Sequence, residues 1–242
     1  MKKFKINDEV FDILGDISVG VLVLKNVNEN KKLSDKESKE IKELLEYSNN
    51  YSKKYLTSDV ISENDVVKVW REIYQKFPTK KGVRCSLENL LKRVLHDNPV
   101  GSILPSVDIT NSISLKYALP IGAEDLDKID GDLFLGVMEG SEHFLPIGSE
   151  EEDKPLKGEI AYCDNYGVVC RCLNWRDGVR TEITDDTTLE FIAMECVEKD
   201  RIDELNNALL ELANLMSKYL DCEVVLKTIV DKNNKEVVLI EG

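Results

Sequence analysis

The chain has 242 residues, 42% of them hydrophobic, and a formal net charge of −14 from 46 acidic and 32 basic side chains. That much apolar sequence can bury a core in one large domain or two small ones, which excludes intrinsic disorder, and the acidity argues against a broad basic face that coats nucleic acid. The longest apolar run, around Val19 to Leu24, falls far short of the roughly 20 residues that span a bilayer, and the opening Met1-Lys2-Lys3-Phe4 is not an apolar signal segment, so a soluble cytoplasmic protein without a membrane partner is expected.

In chain order, Val19-Gly20-Val21-Leu22-Val23-Leu24 is uncharged and rich in β-branched residues, as suits a strand buried on both faces. Ser34 with Glu37 three residues on has the form of a capping box, and Ile41, Leu44 and Leu45 then share a helical face, with Tyr47 nearer its edge. Ser62 with Asp65 repeats the cap more weakly; Val66, Trp70, Ile73 and Phe77 share a face that Pro78 ends. A third helix is predicted from Ser86, burying Leu87, Leu90, Leu91, Val94 and Leu95. From about Asp132 to Cys196 the pattern turns to short apolar segments between glycine, proline and acidic turns. Strands are predicted at Leu133 to Val137, His143 to Ile147, Glu159 to Cys163, Val168 to Cys172 and Glu190 to Val197. Ile202, Leu205, Leu209, Leu212 and Met216 then mark a helix with one face on the sheet, and Cys222 to Val230 with Glu236 to Ile240 read as a closing hairpin. Helices and strands segregated in this way indicate an α+β fold.

The six cysteines, Cys85, Cys163, Cys170, Cys172, Cys196 and Cys222, are read as reduced thiols in a chain of this length. Cys170-x-Cys172 matches no common zinc spacing, and only His96 and His143 offer imidazole, so no metal and no other cofactor is expected. A glycine-rich phosphate loop, a Gly-x-Ser-x-Gly elbow and a His-Glu-x-x-His helix are all missing from the sequence, which removes the usual signals of nucleotide hydrolases, serine esterases and zinc proteases. His143, beside Phe144, reads as structural rather than as a base.

Two basic groupings stand out against the acidity: Lys80, Lys81, Arg84, Lys92 and Arg93, and Arg171, Arg176 and Arg180. A dense polar stretch fills the middle of the chain. Asp108-Ile109-Thr110-Asn111 precedes a short predicted helix, which Thr110 or Asn111 can cap. Pro120 to Asp127 reads as a loop whose Gly122 permits positive φ or close approach of a ligand. If Cys170 to Arg176 stays extended, Arg171, Leu173 and Trp175 share a face, and an Arg with a Trp there can stack a base or form a surface cation–π pair.

These stretches resemble the B3/4 editing domain of the phenylalanyl-tRNA synthetase β subunit. In that family an Asp-(Ile/Val)-Thr-Asn run leads through a helix to a Gln-Pro-x-His-Ala-Phe-Asp loop. Here Val107-Asp108-Ile109-Thr110-Asn111 leads at the same spacing to Leu119-Pro120-Ile121-Gly122-Ala123-Glu124-Asp125. Farther on, Thr184-Asp185-Asp186-Thr187 and Ala193-Met194-Glu195-Cys196 resemble the family's Asn-Asp-Glu-Thr and Leu-Leu-Glu-Cys segments. The likeness covers about Pro105 to Val197. It implies one B3/4-like domain over residues 1–242, with a mixed or antiparallel β core flanked by helices, its motif core at about 105–197 and a strand-plus-helices portion at about 1–96.

The synthetase domain removes tyrosine wrongly joined to the phenylalanine tRNA, and the resemblance implicates Asn111, Pro120 and Glu195 in the corresponding pocket. A carboxylate at Glu195 can accept a hydrogen bond from a tyrosine hydroxyl and would be left unpaired facing phenylalanine. Gly122, Asp125, Arg171, Asn174, Trp175 and Arg176 complete the substrate-binding set expected. Two departures mark a changed site: Gly122 stands where the family has its loop histidine, and Leu173-Asn174-Trp175-Arg176 replaces the glycine-rich turn, a variant that looks like that of freestanding members. No synthetase catalytic or anticodon-binding domain fits in this length, so the expectation is a freestanding module that binds tRNA or aminoacyl-tRNA by local contact, with no DNA partner, and hydrolyses a mischarged ester in trans. The alternatives are a non-catalytic binder of tRNA or a free amino acid, and a protein-interaction subunit.

Overall fold

The computed structural model describes residues 1–27 and 32–241. Two β-sheets stack against each other, with helices packed on the outer face of the smaller one and around the core between the two. The opening residues form β1 (Lys2–Ile6), α1 (Asp8–Leu14) and β2 (Ser18–Lys25). The helical portion follows as α2 (Asp35–Ser52), α3 (Asp65–Ile73), α4 (Ser86–Leu95) and α5 (Pro105–Tyr117). Then come β3 (Ile121–Asp125), β4 (Leu133–Val137), β5 (Ile160–Cys163), β6 (Val168–Arg171), the two-residue β7 (Arg176–Asp177) and β8 (Leu189–Cys196). The chain closes with α6 (Ile202–Leu220), β9 (Glu223–Val230) and β10 (Glu236–Ile240). Among the described residues no helix is long and apolar enough to cross a membrane.

The larger sheet runs β10-β1-β4-β5-β6-β7 and the smaller β3-β8-β2-β9. All pairs are antiparallel except β1 with β4. This mixed, helix-flanked architecture is the expected α+β fold. The apolar run of β2 is explained by its two faces: Val19, Val21 and Val23 join the core between the sheets with Phe4, Ile6, Tyr162 and Phe191, while Leu22 and Leu24 join a second core with Leu205, Leu209, Leu212 and Met216 of α6. Gly20 is required on the helix side, because a Cβ there would lie 2.7 Å from Leu209 Cδ1.

The capping box opens α2 as read from sequence: Glu37 N–H donates to Ser34 Oγ at 3.3 Å, and Ser34 N–H donates to Glu37 Oε2 at 2.9 Å. The expected stripe of α6 is buried at Leu205, Leu209, Leu212 and Met216, and α4 buries Leu87, Leu91 and Val94 but leaves Leu90 and Leu95 partly exposed, while α3 buries Val67 rather than Val66 beside Trp70 and Ile73 and ends at Ile73, short of Pro78. Other expectations are corrected. Residue 64, not Ser62, precedes α3, and the Asn64 side chain ties the Ser58 to Ile61 turn instead of capping the helix. His143 to Ile147 is no strand and makes only isolated bridges, His143 to Gly167 and Pro146 to Gly178. The stretch Asp108 to Asn111 lies inside α5, whose first turn begins with Pro105, so neither Thr110 nor Asn111 caps it; Asp108 instead accepts from Ile103 N–H at 2.7 Å and Ser102 Oγ at 2.5 Å. Pro120 to Asp127 is mostly β3, not a loop. β9 and β10 are no hairpin pair: β9 pairs with β2 in one sheet and β10 with β1 in the other, so the turn between them joins the sheets.

Candidate functional site

Strand alternation aims one set of side chains into the gap between the sheets. Along β8, Phe191, Ala193 and Glu195 share a face, and β3 lies beside them in the register Gly122 to Ala193 and Glu124 to Phe191. From the opposite sheet come Tyr162 on β5 and Cys170 on β6, and the turn after β6 contributes Leu173 and Asn174. Together these nine residues line a narrow cavity with ≈ 10 Å³ of room for a water centre, about enough for a single water. Wider grooves lie elsewhere, one of ≈ 480 Å³ beside α2 and one of ≈ 580 Å³ by β9 and β10, but neither gathers buried acids in this way.

Glu195 is fully buried and bound on both oxygens: Tyr162 Oη donates to Oε1 at 2.9 Å and Asn174 Nδ2 donates to Oε2 at 2.8 Å. Its backbone N–H donates to the Pro120 carbonyl at 3.2 Å. Asn174 is oriented from behind, since its Oδ1 accepts from Ser86 N–H at 2.9 Å, which leaves only Nδ2 to face Glu195. Burial pushes the Glu195 carboxyl up to about 8, against the opposing pull of the Tyr162, backbone and Asn174 hydrogen bonds. The same desolvation, with the Glu195 charge beside it, raises the Tyr162 phenol well above its ordinary value. A carboxyl of this kind can hold or release a proton near neutral pH, the range in which general acids and bases work best.

The turn that carries Asn174 is sharp, and it overturns the extended reading of Cys170 to Arg176. Cys172 and Leu173 have φ of 46° and 63°, Trp175 N–H donates to the Arg171 carbonyl at 3.0 Å, and Arg171 pairs with Arg176 across β6 and β7. Two consecutive non-glycine residues in the left-handed region carry strain that the surrounding packing must hold. Arg171, Leu173 and Trp175 therefore do not share a strand face.

The remaining expected site residues are dispersed. Asn111 is half-buried on α5 and does not line the cavity. Gly122 does line it, without positive φ and with open space where a Cβ would stand. The Asp125 carboxylate accepts from Thr187 Oγ1 at 3.1 Å and from Asp127 N–H at 3.1 Å, which ties down a turn. Arg171 is fully buried, with Nε donating to Glu159 Oε1 at 2.7 Å and Nη2 to Oε2 at 2.5 Å, so it is a core ion pair. Trp175 is half-buried with the guanidinium carbons of Arg171 and Arg176 each 5.6 Å from its ring centre, so its cation–π partners are internal.

In the arginine grouping Arg171 and Arg176 face Asp153 and Arg180 binds Asp164. His143, with a 57% exposed side chain, pairs with Glu152 at 2.8 Å on the surface. Tyr162 and Glu124 were not singled out from sequence. For Glu124 the signal was present, in the alternation Gly122, Glu124 on a segment mistaken for a loop; for Tyr162, whose partner lies 33 residues away, there was none.

The B3/4 domain family matches residues 69–228, from within α3 to within β9. Among solved structures, an N-terminal fragment of the phenylalanyl-tRNA synthetase β-subunit from Pyrococcus horikoshii superposes with a TM-score of 0.48 at 12% sequence identity, over 91% of this chain and 49% of that one. No curated protein sequence matches the chain.

Proposed function

The chain belongs to the B3/4 domain family, and from that premise we propose that its inter-sheet pocket recognises the amino-acid end of an aminoacyl-tRNA and hydrolyses a mischarged ester in trans. The observation that carries this reading is Glu195, a buried carboxyl held by Tyr162 and Asn174 beside the open edge left by Gly122. With no imidazole among the residues lining the cavity, Glu195 is the group whose proton affinity suits a general base for water, and backbone groups or the terminal tRNA hydroxyl position the ester. Asn174 acts as its orienting partner. Access to Glu195 requires the strained Cys172 to Trp175 turn to give way.

The substrate side chain is smaller than tyrosine on this reading. Tyr162 already supplies the phenol hydroxyl that Glu195 would otherwise take from a tyrosyl substrate, and the space left holds about one water. The acidic surface favours recognition of the acylated end over long backbone tracking. The same satisfied state of Glu195 favours a second reading, a binder without turnover.

The deciding experiment measures deacylation of a panel of mischarged tRNAs, from small side chains to tyrosine, with purified protein and the Asn111→Ala/Glu195→Ala double variant. Accelerated loss of a small aminoacyl group that the double variant abolishes supports the hydrolase. Binding of aminoacyl-tRNA with no acceleration across the panel replaces it with the binder.

A further inference from the structure

A second group of side chains converges beside the Glu195 unit, and neither of its carboxylates forms an ion pair among the described residues. Glu124 on β3, Cys170 on β6 and Asp177 on β7 bring one carboxylate oxygen, one sulfur and one carboxylate oxygen within 4.8 Å of one another. Register explains the meeting. Cys170 and Asp177 are directly paired across β6 and β7 and so share a face, and Glu124, two residues after Gly122, points into the same gap from the other sheet. Glu124 and Cys170 both line the one-water cavity.

The neighbouring bases are committed elsewhere: Arg171 to Glu159 and Asp153, Arg176 to Asp153, and Arg180 to Asp164 and the Lys128 carbonyl. Glu124 is 4% exposed, yet its Oε2 has no hydrogen-bond partner, and neither has the hydroxyl of the fully buried Thr181. Desolvation and the Asp177 charge push the Glu124 carboxyl well above its ordinary value, opposed by the Thr181 hydroxyl and the Arg180 charge. Buried polar atoms without partners are rare in native cores, and an unseen ion is one standard reason for them.

We propose that Glu124, Cys170 and Asp177 bind one divalent cation of the zinc class, with the adjoining one-water space as its fourth coordination position. The donor set selects the ion, because a thiolate with two carboxylates suits zinc and disfavours calcium or magnesium, which take oxygen alone. Three protein donors and one water form the arrangement of an open zinc site. The space is also of the right scale for an ion's water ligand. Binding releases to solvent the Cys170 thiol proton and any proton held by Glu124 or Asp177, and clamps β3 of one sheet to β6 and β7 of the other. The site stands whether or not the pocket hydrolyses an ester.

The test is titration of the full chain, stripped with chelator, first with Co²⁺ and then with Zn²⁺. One equivalent of cobalt is expected to give a thiolate-to-cobalt charge-transfer band that zinc bleaches. Cys170→Ser removes the band, while Cys163→Ser and Cys222→Ser keep it. Glu124→Gln and Asp177→Asn each weaken zinc binding by about tenfold or more, the scale reached even by residues that only support a ligand. Circular dichroism establishes that each variant is folded; should Cys170→Ser fail to fold, the two carboxamide variants decide. The assignment is overturned by the absence of stoichiometric binding to the wild-type chain, by a band that survives in folded Cys170→Ser, or by unchanged zinc affinity in both carboxamide variants.

Discussion

Glu195→Gln isolates what burial of the pocket acid does to stability. Desolvation lifts the Glu195 carboxyl from an ordinary 4.5 to about 8 in the folded chain. Between those values the unfolded chain has released a proton that the folded chain still holds. The stabilising share of this group is therefore complete below about pH 4.5 and is lost as pH climbs toward about 8. Each pH unit of that window removes about 1.4 kcal/mol, so its whole width removes about 5 kcal/mol as an upper limit. Glutamine does not titrate, but its carbonyl can still accept from Asn174 Nδ2 and its amide can donate to Tyr162 Oη, so the packing is retained. Urea unfolding of both proteins at about pH 5, 7 and 9, with chelator present, gives the comparison. Stability of the variant relative to wild type is expected to rise by several kcal/mol from the acid to the alkaline end. Glu190, which burial also raises to about 8, along with Glu124 and Asp177, titrates in both proteins and largely cancels in the difference. Parallel pH profiles for the two proteins would sink the argument.

Asn174→Ala strips a partner from Glu195 Oε2 and from Ser86 N–H, and a loss of about 1–3 kcal/mol in chemical denaturation is expected; a smaller change would mean the asparagine does not orient the acid. Arg171→Met leaves the unexposed Glu159 carboxylate without its bidentate partner. The expected cost is about 3–5 kcal/mol, read as a fall in Tm that salt barely alters, since a buried pair is poorly screened. Two glycines separate close packing from open space. Gly20→Ala, with its Cβ driven against Leu209, loses about 1–3 kcal/mol, while Gly122→Ala stays within about 0.5 kcal/mol of wild type in the same unfolding assay.

Local physics made much of this protein legible before any coordinates. The Ser34–Glu37 box opens α2 because its two hydrogen bonds depend on residues three apart, and α6 declares its buried stripe because helical period is a local property. The ordered motifs from Asp108 to Glu195 resembled the B3/4 domain, and the family match, residues 69–228, encloses them. Errors arose where local pattern admits two answers. Pro120 to Asp127 carries the polar, glycine-bearing composition of a loop, yet it is drawn into β3 by pairing with β8. Val168 to Cys172 has strand composition to its end, but Cys172 and Leu173 turn the chain at positive φ so that Asn174 can reach Glu195 and Ser86.

The sequence by itself determined the α+β class, most helix faces, and the presence of an acid on β8, in line with Phe191 and Ala193 on a strand of period two. Only the tertiary structure decided what that acid meets. The Tyr162 hydroxyl on Glu195, the assignment of β9 and β10 to different sheets, and the meeting of Glu124 with Cys170 and Asp177 all join segments far apart in the chain. Such contacts follow from strand register between non-adjacent segments, which packing of the whole core sets and no window of sequence encodes.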